Sequence, residues 1–138
     1  MMRGWWSRYG RFGEMIDEVL EEAGMPRDLR CVAMAESGFD PTARSRAGAA
    51  GMWQFVRGTG AEFGLDHTHW VDERLDPERA TRAAAAYLGR LHARFGSWEL
   101  ALAGYNMGYG ALLRSMRKYN TNDFWELSRI EAGLPFET

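Results

Sequence analysis

The sequence predicts a mostly α-helical domain. Apolar residues recur at the three- and four-residue spacing of a helix face along most of the chain, and the breaks between these stretches carry capping or helix-ending residues. The single β-prone run, Met52-Trp53-Gln54-Phe55-Val56, is only five residues long. With 138 residues, 46% hydrophobic and 13% aromatic, the chain can form one compact domain with its own core, 1–138, of which about 1–10 are an N-terminal extension. A formal charge of −2 gives no electrostatic case for nucleic acid or an anionic membrane surface. Cys31 stands alone, which excludes an internal disulfide framework. No apolar run approaches the roughly 18 residues of a membrane-spanning helix, so no membrane insertion by this domain is expected. Met1-Met2-Arg3-Gly4-Trp5-Trp6 lacks the apolar core of a signal peptide.

Met15, Ile16, Val19, Leu20 and Ala23 mark a first amphipathic helix, stopped by Gly24 with Pro26 just beyond. A second helix follows over roughly Arg27 to Ser37. From Gly38 to Gly51 the chain is rich in Gly, Ala, Ser and Thr and has no apolar stripe, which predicts an irregular surface segment. The run 52–56 predicts one or two short strands, and a short helix begins near Thr59. Asp76-Pro77 supplies an N-cap and a first-turn proline. The long helix after it carries Ala80, Ala83, Ala84, Tyr87, Leu88, Leu91 and Phe95 on one face. Gly96-Ser97 breaks and recaps the chain. The next helix aligns Trp98, Ala101, Leu102 and Tyr105 and ends near Asn106, and a last one is centred on 111–118 with Leu112, Leu113 and Met116.

Glu36 interrupts this logic. Leu29, Val32, Ala33 and Glu36 follow the i, i+3, i+4, i+7 spacing of one helix face, the stripe that normally meets the core. A carboxylate there loses hydration, which disfavours its charged form and raises its pKa. A Glu held protonated near neutral pH is what general acid catalysis requires. The residues behind it, Ser37-Gly38-Phe39-Asp40-Pro41, end the helix and leave Glu36 at a helix-to-loop edge. Read from this helix alone, a partly exposed Glu in a last helical turn is the simpler reading.

Three segments stand out together: Glu36-Ser37-Gly38-Phe39-Asp40-Pro41, Ser45-Arg46-Ala47-Gly48-Ala49-Ala50-Gly51-Met52-Trp53-Gln54, and Gly104-Tyr105-Asn106. In order and spacing, from about Arg11 to Thr138, they resemble the lytic transglycosylase domain of the goose-type lysozyme fold. Within it they resemble the branch of membrane-bound murein transglycosylase D, where Trp often precedes the Gln. The resemblance implies a lysozyme-like helical domain with a small irregular or β insertion after the catalytic helix. It implies cleavage of the β-1,4 bond between N-acetylmuramic acid and N-acetylglucosamine in peptidoglycan, with 1,6-anhydro ends as product. Glu36 matches the single catalytic acid, which would then act as base towards the C6 hydroxyl of the same muramic residue. Ser45 matches a sugar-binding serine, Gln54 a glutamine facing the groove, and Tyr105 a tyrosine that positions the acid. Asn106, Val56 and Trp53 complete the substrate-binding set, Trp53 as an aromatic groove residue beside Gln54. No metal and no cofactor are implied. The partner is the peptidoglycan strand, with the domain a monomer in the periplasm or cell envelope, or of phage origin.

The chain departs from the family pattern at Arg57, where Pro is usual, at Val56, at Gly104 in place of Ala, and at Gly108-Tyr109-Gly110, where a Glu often stands between the glycines. Leu134-Pro135-Phe136-Glu137-Thr138 resembles a family segment that normally continues into a further helix, so a shortened C-terminal end is expected. Asp40 reads as support for the loop, not as a second catalytic carboxylate, and Asp66, Asp72 and Asp76 as caps or solvated charges. His67-Thr68-His69 lies in a polar loop with no cysteine or carboxylate cluster beside it. Two alternatives stay open: a hydrolytic muramidase on the same fold, and an inactive peptidoglycan-binding module.

Overall fold

The computed structural model describes the backbone of residues 2–119 and the side chains of 7–118. The C-terminal segment with Glu137, Trp125, and the side chains of Trp5 and Trp6 therefore lie outside the described residues. Six α-helices follow in order: α1 (Met2–Glu22), α2 (Arg30–Ser37), α3 (Arg57–Glu62), α4 (Pro77–Phe95), α5 (Trp98–Met107) and α6 (Tyr109–Tyr119). Two 3-10 turns, Arg27–Leu29 and Glu73–Leu75, precede α2 and α4. The chain divides into two compact units, Met1–Tyr87 and Leu88–Thr138, with the boundary inside α4.

In the first unit, α1 buries Ile16, Val19 and Leu20, the stripe its spacing predicts. The helix begins at Met2, so residues 2–10 are its first turns. The expected helix from Arg27 is split, because residues 27–29 take the tighter 3-10 form before α2 begins. Leu29 and Ala33 are buried on the predicted face. Asp76 caps α4 as expected, its Oδ1 accepting from the Arg79 N–H at 3.0 Å.

The β component of the insertion needs correction. Among the described residues there is no strand, only isolated bridges pairing Arg44 with Ala50, Ala50 with Phe55, and His67 with Asp72. Residues 51–54 form a turn in which the Gln54 N–H donates to the Gly51 carbonyl at 3.1 Å. Met52 and Trp53, neighbours in sequence, are both fully buried, so side chains do not alternate between two faces as a strand requires.

In the second unit, Ser97 caps α5 by accepting from the Leu100 N–H at 3.2 Å. Leu100, Ala103 and Leu112 form a buried cluster, with Phe95, Met107 and Met116 packed against it. Gly104 lies at the centre of this packing. A Cβ there would stand 3.2 Å from Leu91 Cδ2 and 3.4 Å from Leu112 Cδ2, so glycine lets α5 and its neighbours approach closely.

Candidate active site

The Glu-Ser-Gly-Phe motif is a helix-ending device that aims Glu36. Gly38 adopts the left-handed conformation (φ 64°) that a glycine takes without Cβ strain, and α2 stops there. The Phe39 N–H reaches back to the Ala33 carbonyl at 3.4 Å, and the Phe39 ring is buried with its centroid 5.2 Å from that of Tyr9. Arg8 Nε donates to the Gly38 carbonyl at 2.9 Å, so α1 clamps the same turn. Ser37 Oγ donates to the Met52 carbonyl at 2.7 Å and accepts from the Asp40 N–H at 3.1 Å, tying the end of α2 to the 51–54 turn.

Glu36, in the last turn of α2, is half-buried. Its carboxyl makes no hydrogen bond and no ion pair among the described residues, and burial pushes its pKa above the usual carboxylate value. Asp40 behaves oppositely. Its Oδ1 accepts from the Thr42 N–H at 2.9 Å and from Thr42 Oγ1 at 2.8 Å. The bond from the Thr42 backbone holds its pKa low, against a smaller desolvation effect. Asp40 is thus a loop-closing carboxylate, as its Asp-Pro context suggests.

The loop after α2 carries the other first-unit candidates. Ser45 closes a tight turn: its N–H donates to the Ala49 carbonyl at 2.9 Å and its Oγ accepts from the Ala49 N–H at 3.1 Å. The hydroxyl proton is left over, and the residue is exposed. Gln54 has a left-handed backbone (φ 54°), unusual outside glycine, and Phe39 shares this feature (φ 62°). The Gln54 Nε2 donates to the Ala43 and Gly51 carbonyls at 3.2 and 2.8 Å, so the amide nitrogen holds the loop. Its Oε1 is the half available to a ligand. Val56 is 44% exposed at the start of α3.

Trp53 is corrected. Its indole is fully buried, with Nε1 donating to Thr81 Oγ1 at 2.9 Å, so it offers no open face to a sugar and anchors the loop to α4. Of the tryptophans with described side chains, Trp70 has the open ring, at 87% exposure, while Trp98 stacks on His92 at 4.1 Å between centroids. Among the described residues no three His, Cys, Asp or Glu side chains gather to hold a metal.

Tyr105 and Asn106 belong to the second unit. Tyr105 is half-buried on α5, and Asn106 is exposed. α5 runs on to Met107 and is capped by Gly108, so Asn106 lies within its last turn and is not the capping residue. Tyr109 accepts from Arg94 Nε at 3.0 Å and packs its ring on Phe95 at 5.5 Å.

Sequence reasoning missed Arg74, the organiser of the loop. Its Nη1 donates to the Gly48 and Phe55 carbonyls at 2.9 and 3.0 Å, while Nε and Nη2 grip Asp72 at 3.0 and 2.8 Å. Both side chains are buried, at 5% and 7% exposure, and the Arg74 hydrogen bond is the main cause of the lowered Asp72 pKa. The signal available was Gly51 (φ 88°), where a Cβ would collide with the Arg74 carbonyl oxygen.

Comparison with known proteins shows the family. A family model for the transglycosylase SLT domain matches residues 15–128. The chain is 37% identical over 124 residues to membrane-bound lytic murein transglycosylase D of Escherichia coli strain K12, covering 86% of the chain and 26% of that protein. It is 43% identical over 118 residues to peptidoglycan transglycosylase gp16 of Escherichia phage T7, covering 83% of the chain and 9% of that protein. The crystal structure of an inactive Glu-to-Gln mutant of the lytic transglycosylase Slt from Pseudomonas aeruginosa superposes with a TM-score of 0.62 at 27% identity, over 75% of the chain and 18% of Slt. The chain thus spans about a quarter or less of these relatives' lengths. Among the described residues no helix is long and apolar enough to cross a membrane. By the family model and by these identities, the chain belongs to the transglycosylase SLT domain family.

Proposed function

We propose that the chain is the catalytic core of a peptidoglycan lytic transglycosylase, cleaving the β-1,4 bond between N-acetylmuramic acid and N-acetylglucosamine. The observation that carries this reading is the Glu36 carboxyl: half-buried, without a partner among the described residues, with a raised pKa, and at the end of a helix that its own motif stops. It is supported by relatives named for peptidoglycan or murein transglycosylases, and by the Slt neighbour whose Glu-to-Gln form is inactive. Those names also support a site of action at the cell envelope, or a phage origin.

Protonated Glu36 gives its proton to the glycosidic oxygen as the bond from the muramic C1 breaks. The C6 hydroxyl of the same residue bonds to C1, and the Glu36 carboxylate takes the hydroxyl proton. Acid is regenerated, a 1,6-anhydro ring is formed, and no water is consumed. The tethered hydroxyl has a high effective concentration, and one carboxyl serves as acid and then base. Asp40, ionised and committed to Thr42, does not supply the second carboxylate that the usual glycosidase arrangement needs. In this reading the Ser45 hydroxyl and the Gln54 Oε1 bind acetamido and hydroxyl groups, and Val56 meets an apolar sugar face. Tyr105 and Asn106 enter the substrate-binding set on their motif match.

The test is digestion of purified peptidoglycan by the parent and by Glu36→Gln, with the fragments resolved by mass. The expected result is anhydro-muramic ends, one water lighter than reducing ends, and loss of at least a thousandfold in rate for Glu36→Gln, the scale of an essential catalytic group. Reducing ends would make the enzyme a hydrolytic muramidase. Binding without cleavage by the parent would leave a peptidoglycan-binding module.

A further inference from the structure

Trp70 is 87% exposed, more than any other large apolar side chain among the described residues, and Val71 beside it is 52% exposed. Trp53 and Trp98 each find an internal partner, in Thr81 and His92. The Trp70 indole N–H makes no hydrogen bond among the described residues. An indole left in water forgoes the stabilisation that burial would bring. Its setting decides whether that loss has a use.

The setting is a braced finger over residues 66–73. The Thr68 N–H donates to the Val71 carbonyl at 2.7 Å, and Thr68 Oγ1 accepts from the Trp70 and Val71 N–H groups at 3.2 and 3.0 Å. Below this turn His67 bridges to Asp72, and the Asp66 N–H donates to Glu73 Oε1 at 2.8 Å. The His69 ring stands perpendicular to the indole, with 4.7 Å between centroids, and limits its rotation. A ring held in this way loses little freedom when a ligand covers it. The base of the finger is shared with the candidate site. Asp72 is gripped by Arg74, whose Nη1 also holds the Gly48 and Phe55 carbonyls, and Arg44, next to Ser45, comes within 3.9 Å of Asp72. The finger therefore extends the edge of the loop that carries Ser45.

The surroundings of the ring select the class of ligand. Asp72 pairs with Arg74 and Glu73 with Arg79, so the finger gathers no excess of positive charge to draw a phosphate-bearing surface. Val71 is the other exposed large apolar side chain on the finger, and the two together are too small for the apolar core of a protein interface. A pyranose fits: a rigid ring whose axial C–H groups pack on an indole face while its hydroxyl and acetamido groups stay in water. We propose that Trp70 is a stacking platform for a sugar of the glycan strand, lengthening the strand-binding site beyond Ser45. This rests on the peptidoglycan reading and adds a sugar site to it.

The test separates binding from cleavage. Glu36→Gln is titrated with soluble glycan strands released from sacculi by an amidase, and the indole N–H signals are followed by NMR. The Trp70 signal, identified by its loss in Trp70→Phe, should shift as the strands bind. In the same background Trp70→Ala should weaken strand binding about two- to tenfold, the scale of one aromatic contact, and Trp70→Phe should keep most of the affinity. With Glu36 in place, Trp70→Ala should act on cleavage mainly through KM. If the parent leaves the strands intact and yet binding depends on Trp70, the enzymatic reading fails and the platform stands. A Trp70 signal that does not move, or strand affinity unchanged in Trp70→Ala, overturns the platform even where the parent cleaves. Binding to phosphatidylcholine vesicles that Trp70→Ala abolishes, with strand affinity intact, overturns it in favour of a lipid surface.

Discussion

The loop over residues 43–56 and the pair α5–α6 carry their candidate residues by opposite means. Tyr105 and Asn106 stand on α5, a regular helix joined to α6 through apolar contacts of Leu100, Ala103 and Leu112. The loop has no regular structure among its described residues. Its shape comes from carbonyls captured by polar groups: Ser37 on Met52, Gln54 on Ala43 and Gly51, and Arg74 on Gly48 and Phe55. Packing tolerates changes of shape that keep volume, whereas a polar network fails when one member leaves its partners buried and unpaired. The loop therefore holds its groups in one arrangement but rests on few atoms.

Breaking each region at its centre tests this. Arg74→Met would strip the buried Asp72 of its guanidinium, leaving it the residue-74 N–H at 3.1 Å and the exposed Arg44 at 3.9 Å, and would leave the Gly48 carbonyl without its donor, at a cost of about 3 kcal/mol. Leu112→Ala opens a cavity in the second unit and costs about 2–5 kcal/mol. Their pH dependence separates the mechanisms. The wild-type Asp72 pKa is lowered, so the pair contributes stability above the unfolded carboxylate value, and this is lost as pH falls through the folded one. In Arg74→Met an Asp72 without the guanidinium takes up a proton more readily, so the penalty shrinks in acid. The penalty of Leu112→Ala does not change with pH. Urea unfolding at neutral pH and near pH 4 measures both, and an Arg74→Met penalty that is the same at the two pH values would defeat the argument.

This contrast also explains what could be read from the sequence. The stripes Ile16-Val19-Leu20 and Leu88-Leu91 are local patterns, and they lie buried where the spacing places them. Glu36 was legible because it broke such a stripe. Arg74 was not, since its partners Gly48 and Phe55 lie 26 and 19 residues away and no periodicity links them. Trp53 misled for a related reason. A Trp beside a groove-facing Gln suggests a sugar platform, but the left-handed turn at Gln54 separates the directions of the two side chains, and the Thr81 hydroxyl supplies the indole with an internal partner. The β-prone run was likewise composed like a strand, with its pairing cut short by the turn at 51–54.

The same chemical change in both regions sharpens the comparison. Gly51→Ala places a methyl against the Arg74 backbone at φ 88°, where nothing can yield without moving the network. A loss of about 3 kcal/mol is expected from strain plus disrupted bonds. Gly104→Ala meets only the tips of Leu91, Leu112 and Phe95, at 3.2 to 3.5 Å. Alanine gains about 1 kcal/mol of helix propensity, which offsets the tighter contact, so the net change should stay within about 1 kcal/mol. Thermal unfolding of the two variants decides it, and equal losses would mean that the helices are as unforgiving as the loop.

The smallest effect expected is on stability at Glu36, and its sign is opposite to the others. The folded state raises the Glu36 pKa through burial, so between the ordinary value near 4.5 and the raised one the folded chain binds more protons than the unfolded chain. Stability at this position therefore falls as pH rises through that window, because ionised Glu36 remains half-buried without a partner among the described residues. Glu36→Gln removes the charge and keeps the shape. It should melt above the parent at neutral pH, with the gain disappearing below about pH 4.5, where both side chains are neutral. A side chain that destabilises its own fold is the trade expected of a catalytic acid, the role proposed for Glu36. A Glu36→Gln protein that melts below the parent at neutral pH would instead assign the carboxylate a supporting role in the loop, alongside Asp40 and Asp72.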